Sequence, residues 1–305
     1  MNTLPHFVDV HEDVLNALNS NRPVVALEST IITHGMPFPD NVEMATSVER
    51  EIRERGAVPA TIAVLDGRLK IGLSAEELAH LAKVKGALKI SRADIAFAIS
   101  QKKTAGTTVA ATMLVARMAG IRVFATGGIG GVHAGAETSF DISADLTELG
   151  KTDVIVVAAG AKAILDVPKT LEVLETQGVS VLGCQTDTLP AFWTAQSDLE
   201  IPLRLNSAKE IADFQKVRDE LRLEAGLLVA NPIPAEDEIP SRIINGYIEK
   251  AQSEMEAQGI SGKAVTPFLL QRIFELSDGQ SLKANIALVK NNARLAADIA
   301  VAFHA

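Results

Sequence analysis

Apolar runs bounded by glycine, proline and short polar residues alternate along this chain with segments whose apolar residues recur every three or four positions. VVALEST (Val24–Thr30) is such a run and predicts a buried strand. A loop rich in proline and glycine follows, and Asp40 with Glu43 has the spacing of a capping box opening a helix through about Arg55. TIAVLDGRLKIGL (Thr61–Leu73) predicts a hairpin turning at Asp66-Gly67, and Ser74 with Glu77 a second capped helix. LKISRADIAFAIS (Leu88–Ser100) precedes a small-residue helix over Thr107–Gly120, and IRVFATGG (Ile121–Gly128) predicts a strand that runs into a glycine-rich loop. There follow a strand around Val154, a helix over Ala163–Gly178, the strand VSVLGC (Val179–Cys184), a charged helix over about Ser207–Ala225 and the strand segment GLLVANPIP (Gly226–Pro234). The last third is mostly helical: Ser241–Gln258, Thr266–Leu276 with Pro267 in its first turn, and Ser281–Phe303.

This alternation, with no internal repeat, low-complexity tract or linker, predicts one α/β domain over residues 1–305 with a helical C-terminal part. Composition sharpens the picture. Hydrophobic residues make up 47% of the chain but aromatics only 4%, so the core is built from Ala, Val, Ile and Leu, which suits parallel strands covered by helices on both faces. The formal net charge of -9 argues against nucleic acid as a partner, and an anionic substrate would need a local cluster of Lys or Arg. With Cys184 as the single cysteine, no intrachain disulfide or thiolate zinc site can form. No signal pattern and no membrane-spanning apolar stretch is present in the sequence, which predicts a cytoplasmic protein.

Candidate chemistry concentrates at strand ends. Lys162 follows the apolar run VIVVAAG (Val154–Gly160); it reads either as a desolvated amine nucleophile or as a solvated residue at a helix start. Glu28 closes the run VVALEST and reads either as a half-buried general acid or as a carboxylate satisfied by backbone N–H groups. The glycine loop, Gly127–Leu146, lacks the third glycine of a dinucleotide fingerprint, because His133 stands there, and Gly262-Lys263 followed by Ala264 is no P-loop. Its glycines still let backbone N–H groups approach an anion. Asp141 and Asp145 lie four apart around Ser143, which is placed to cap a helix starting near Ala144; the pair reads either as hard-oxygen ligands for Mg²⁺ or Mn²⁺ or as ordinary helix-end residues. Lys89 and Arg92 form a basic spot suited to phosphate or simply to solvent. His34 and His133 follow strand-end loops, and no metalloprotease spacing occurs.

Taken in order, ALEST (Ala26–Thr30), the glycine loop into FDISADL (Phe140–Leu146), AAGAK (Ala158–Lys162), VANPIP (Val229–Pro234), TPFLL (Thr266–Leu270) and SLKANIALVKNNA (Ser281–Ala293) resemble the pseudouridine-5'-phosphate glycosidase family, also called indigoidine-synthase-A-like. The resemblance runs from about Pro23 to Phe303. It implies a three-layer α/β/α sandwich with a mostly parallel or mixed central sheet, a homotrimer, and reversible cleavage of pseudouridine 5'-phosphate to uracil and ribose 5-phosphate with Mn²⁺ or another divalent cation. Carried over by motif, Lys162 corresponds to the covalent nucleophile, Glu28 to the proton donor and Asp141 to the metal ligand. Lys89, Val109, Ser143, Ala144 and Asp145 correspond to substrate contacts, and His133 and Asn285 lie in motifs that face the site. A separate pseudouridine kinase is the pathway partner the resemblance implies. Two positions depart from the family pattern: Ala93 and Ala134 stand where arginine is common, and both remove positive charge. A Schiff-base lyase or aldolase acting on another sugar phosphate would use the same lysine, and a metabolite-binding module would need none of this chemistry.

Overall fold

The computed structural model describes residues 4–260 and 262–305. Its strands follow the apolar runs: β1 (Val8–Val10), β2 (Val24–Leu27), β3 (Val58–Leu65), β4 (Arg68–Ile71), β5 (Leu88–Ile90), β6 (Ala105–Thr107), β7 (Val123–Ala125), β8 (Ile155–Ala158), β9 (Ser180–Cys184), β10 (Leu203–Leu205) and β11 (Leu227–Ala230). They form one mixed sheet in the order β1-β4-β3-β2-β7-β8-β11-β9-β10, with β6 on β3 and β5 on β6. From β3 to β10 every neighbouring pair is parallel. The antiparallel pairs are the β3–β4 hairpin and β3–β6. Every residue of β2, β7, β8 and β11 is buried, as a sheet covered on both faces requires.

The long helix Gln280–His304 lies across β2, β7 and β8 and packs on the helices Asp40–Glu54 and Ala208–Glu220. On the opposite face, the helix Val109–Ala119 covers β2, β3, β4 and β6 and packs on the short helix Ala144–Leu149. A buried sheet between two helical layers is the expected α/β/α arrangement.

Strand order places the site. After β2 the chain moves to β3 on one side, and β7 later adds on the other. Connections therefore leave the C-terminal ends of β2 and β7 in opposite directions and open a crevice there, the usual ligand position in open α/β sheets. In register, Leu27 lies opposite Ala125 and Ala125 opposite Val157, so the segments after β2, β7 and β8 emerge side by side.

Local expectations hold where both partners are near in sequence. Ser74 and Glu77 make the full capping box. Asp66 and Gly67 both take positive φ at the hairpin turn, a conformation in which glycine is at ease. Elsewhere the structure differs. Pro39 occupies the cap position before Asp40, so Asp40 is the first helical residue and no capping box forms. The run VVALEST leaves the sheet after Leu27, because the Ser29 hydroxyl binds Ile62 O and accepts from Thr107 N; a short helix, Thr30–His34, replaces the expected loop. The helix expected from Ala163 starts at Val167, where Asp166 caps it by accepting from Lys169 N. The charged helix ends at Glu220, short of Ala225. The short β1, β10 and helix Glu12–Asn19 were not legible from periodicity.

Candidate active site

A cavity of about 370 Å³ opens at the C-terminal ends of β2, β7 and β8. Glu28, one residue past β2, and Lys162, four past β8, both line it. Lys89 reaches it from β5, and Val109 from the first turn of its helix. His133, Asp141, Ser143, Ala144 and Asp145 contribute from the glycine loop and the helix start that follows. Asn285 faces it from the helix Gln280–His304, next to Leu288 and Val289 one turn on. Every site residue singled out from sequence except Arg92 thus borders one cavity.

The glycine loop is held by its own acid. Asp145 Oδ2 accepts from Gly130 N at 2.8 Å, and its Oδ1 accepts from Ala110 N at 2.9 Å, so one buried carboxylate ties the loop to the N-terminus of the helix Val109–Ala119. Both oxygens are thereby engaged, and Asp145 and Asp141 do not share a helix face: Ser143 caps Ala144–Leu149 and Asp141 lies outside it. Gly130 has no room for a side chain, since a Cβ there would sit 2.2 Å from Ser143 Oγ.

Lys162 Nζ donates to Gly128 O at 3.0 Å, which fixes the amine beside the loop. The Glu28 carboxyl accepts a hydrogen bond from the Thr126 hydroxyl. Burial pushes the Glu28 pKa above its ordinary value; Lys162, Thr126 and Lys89 pull against that shift and Asp145 adds to it. Burial depresses the His133 imidazole, with Asp141 opposing, and also that of His34. Arg92 is turned elsewhere. Its Nη1 donates to both carboxylate oxygens of Glu148, at 2.9 and 2.6 Å, and that carboxylate is 1% exposed. The Lys89–Arg92 basic spot is therefore split between the cavity and a structural ion pair.

Several supporting residues escaped sequence reasoning. Thr126 stands one residue past β7, and the strand-end logic that singled out Glu28 applied to it equally. Asn292, fully buried, donates to Thr126 O and Gly127 O and accepts from Asn231 Nδ2. Phe192 lines the cavity, and Trp193 behind it donates its indole N–H to Asn285. Thr30 and Ser91 line the cavity with buried hydroxyls that have no hydrogen-bond partner among the described residues. Only tertiary structure joins these residues to the site.

Among the described residues no group of three or more His, Cys, Asp or Glu side chains is arranged to enclose a metal ion. The Asp141 carboxylate makes no hydrogen bond there and borders the cavity. One hard oxygen donor of this kind fits a Mg²⁺- or Mn²⁺-type ion whose remaining ligands are waters and a substrate phosphate, not a closed protein cage. No described helix is long and apolar enough to cross a membrane.

Known proteins resemble this chain over nearly its whole length. Residues 13–302 match the sequence profile of the family described as indigoidine synthase A like protein. The chain is 82% identical to the pseudouridine-5'-phosphate glycosidase of Dinoroseobacter shibae, over 100% of both chains. It is 63% identical to the pseudouridine-5'-phosphate glycosidase of Mesorhizobium japonicum, over 97% of each. Among solved structures, the prealnumycin C-glycosynthase AlnA in complex with ribulose 5-phosphate superposes with a TM-score of 0.91 at 37% identity, over 99% of this chain and 98% of that one. An indigoidine synthase A-like protein from Thermotoga maritima gives 0.90 at 35%, over 100% of both chains. With a half-buried acid and an amine at the switch point of one sheet, the chain belongs to the indigoidine synthase A-like family, as the profile match and the end-to-end identity to these proteins show.

Proposed function

We propose that this chain is a pseudouridine-5'-phosphate glycosidase, cleaving the C–C glycosidic bond of pseudouridine 5'-phosphate reversibly to uracil and ribose 5-phosphate. The observation that carries the reading is the placement of Glu28 and Lys162, an acid whose pKa burial raises and an amine, on one cavity. The relatives' names and the sugar phosphate bound by the C-glycosynthase support it.

Breaking a C-glycoside is demanding because the leaving atom is carbon. Glu28 delivers a proton to the ribose ring oxygen as Lys162 Nζ attacks C1′, so that the C1′–O4′ bond breaks and an open-chain amine adduct forms. Glu28, now a carboxylate, takes back a proton from the adduct nitrogen and passes it to uracil C5 as the C1′–C5 bond breaks; the pair from that bond forms the new C5–H bond, and the freed nitrogen lone pair makes the lysine iminium. Water adds to the iminium and releases ribose 5-phosphate as the aldehyde, restoring the amine. The Gly128 carbonyl holds Lys162 in reach, and Asp145 keeps the glycine loop in shape around it. Lys89 and the N-terminal end of the helix at Val109 suit the substrate phosphate. Asp141 would hold a divalent cation, Mn²⁺ or Mg²⁺, and when bound it supplies positive charge against the phosphate in a chain of net charge -9. His133 and Ser143 extend the polar wall, with Ala144 beside them. We further propose a cytoplasmic homotrimer, supplied with substrate by a pseudouridine kinase.

The test is incubation with pseudouridine 5'-phosphate and Mn²⁺, following free uracil. Wild type is expected to release it, and Lys162→Ala and Lys162→Arg to lose it, since guanidinium keeps the charge without the amine. Undiminished cleavage by Lys162→Ala would remove the lysine from the chemistry. Turnover of a simple ketose phosphate with none of the C-nucleotide would favour the Schiff-base lyase. Chelation should lower activity and Mn²⁺ restore it.

A further inference from the structure

The one tryptophan of the chain does more than fill the core. Trp193 is 1% exposed, packs edge-on against Phe192 with ring centroids 5.0 Å apart, and donates its indole N–H to Asn285 Oδ1 at 2.7 Å. Its backbone is held as well, because Trp193 O accepts from Ile239 N at 2.9 Å. An indole N–H can only donate. The Asn285 oxygen must therefore face the tryptophan, since a flipped amide would oppose two donors in a buried contact. The opposite edge of the amide, the Nδ2 group, makes no hydrogen bond among the described residues, is not sealed from solvent, and belongs to a residue that lines the cavity.

We propose that Trp193 is a positioning residue that locks Asn285 with its NH₂ edge towards the cavity, so that the site accepts a carbonyl oxygen of the substrate base and rejects an amino group in its place. Uracil carries two such carbonyls, at C2 and C4. A cytosine-like or isocytosine-like base would set an amino group against the Asn285 donor and leave both unpaired. The selection is made by Trp193 without contact with the substrate, and it rests on the glycosidase reading above.

The experiment compares kcat/KM for pseudouridine 5'-phosphate with kcat/KM for its two analogues in which the C2 or the C4 carbonyl is replaced by an amino group. Wild type is expected to disfavour one analogue by about 10- to 100-fold, the usual effect of an unpaired buried donor. Trp193→Phe keeps an aromatic ring but removes the N–H, so the amide is free to turn. The preference should fall by about tenfold, through KM more than kcat, because Glu28 and Lys162 are untouched. Asn285→Asp keeps an oxygen for the indole and turns an acceptor to the cavity, so the preference should invert towards the amino analogue. This second variant carries the test if Trp193→Phe does not fold. Uracil release by wild type with the same preference in both variants overturns the role of Trp193. No release from pseudouridine 5'-phosphate by wild type overturns the glycosidase reading itself, and this inference with it.

Discussion

Arg92 offers the sharpest separation between a substrate contact and a structural one. Its side chain is 51% exposed, but the Glu148 carboxylate it clasps is 1% exposed and, among the described residues, has only the Thr152 hydroxyl besides. Arg92→Ala leaves that carboxylate in the core without its cation. Removing one partner of a fully buried pair costs about 3–5 kcal/mol. Water reaching the exposed arginine side lowers this, and about 1–3 kcal/mol is the expected loss. At about 1.6 °C per kcal/mol for a chain of 305 residues, the melting temperature should fall by about 2–5 °C. Calorimetry reads the stability, and steady-state kinetics on pseudouridine 5'-phosphate reads the site. KM should stay within about twofold of wild type, since a structural pair contributes nothing to phosphate binding. The double variant Arg92→Ala/Glu148→Gln should recover part of the loss, because the orphaned charge is gone. An unchanged melting temperature with KM raised tenfold or more would refute the reasoning and return Arg92 to the phosphate site.

The raised pKa of Glu28 sets the pH response: its acid form is complete below the raised value and is lost as pH rises through it, so kcat should fall on the basic side, and Glu28→Gln should lower turnover by at least about 100-fold. Gly130→Ala would drive a Cβ against Ser143 Oγ and Asp145 Oδ2; a loss of about 1–3 kcal/mol in denaturant unfolding and a more than tenfold drop in kcat/KM are expected. Because Trp193 is the single tryptophan and touches Asn285, its emission should change when uracil is added with ribose 5-phosphate and stay fixed with the sugar phosphate alone; the reverse would seat the base elsewhere.

What was legible in the sequence was local or strand-bound. The apolar runs gave the central strands because a sheet covered on both faces needs them continuous, and Ser74 with Glu77 gave its cap because both partners lie within four residues. Asp40 failed for an equally local reason, proline having taken the cap position. Glu28 and Lys162 were visible as polar groups interrupting apolar runs at strand ends, where ligands collect. The bonds that shape the site were not legible: Asp145 to Ala110, Arg92 to Glu148 and Trp193 to Asn285 each join residues at least 35 apart, and no spacing rule reaches that far. The same distance explains why Asp141 and Asp145 looked like a matched pair and are not one. Their four-residue separation is real, but Asp145 answers to two backbone N–H groups from elsewhere in the chain.

The helix Gln280–His304 has a consequence for biosynthesis. The acid, the amine and the glycine loop are all complete by residue 162, yet the wall bearing Asn285 and Leu288, and the Asn292 clamp on Thr126 and Gly127, arrive more than a hundred residues later in translation. Until that helix is made, the face of β2, β7 and β8 lacks the cover that encloses the pocket. Catalytic competence is thereby tied to the arrival of this helix, and a message truncated before it would encode the acid and the amine without the wall and clamp that enclose them.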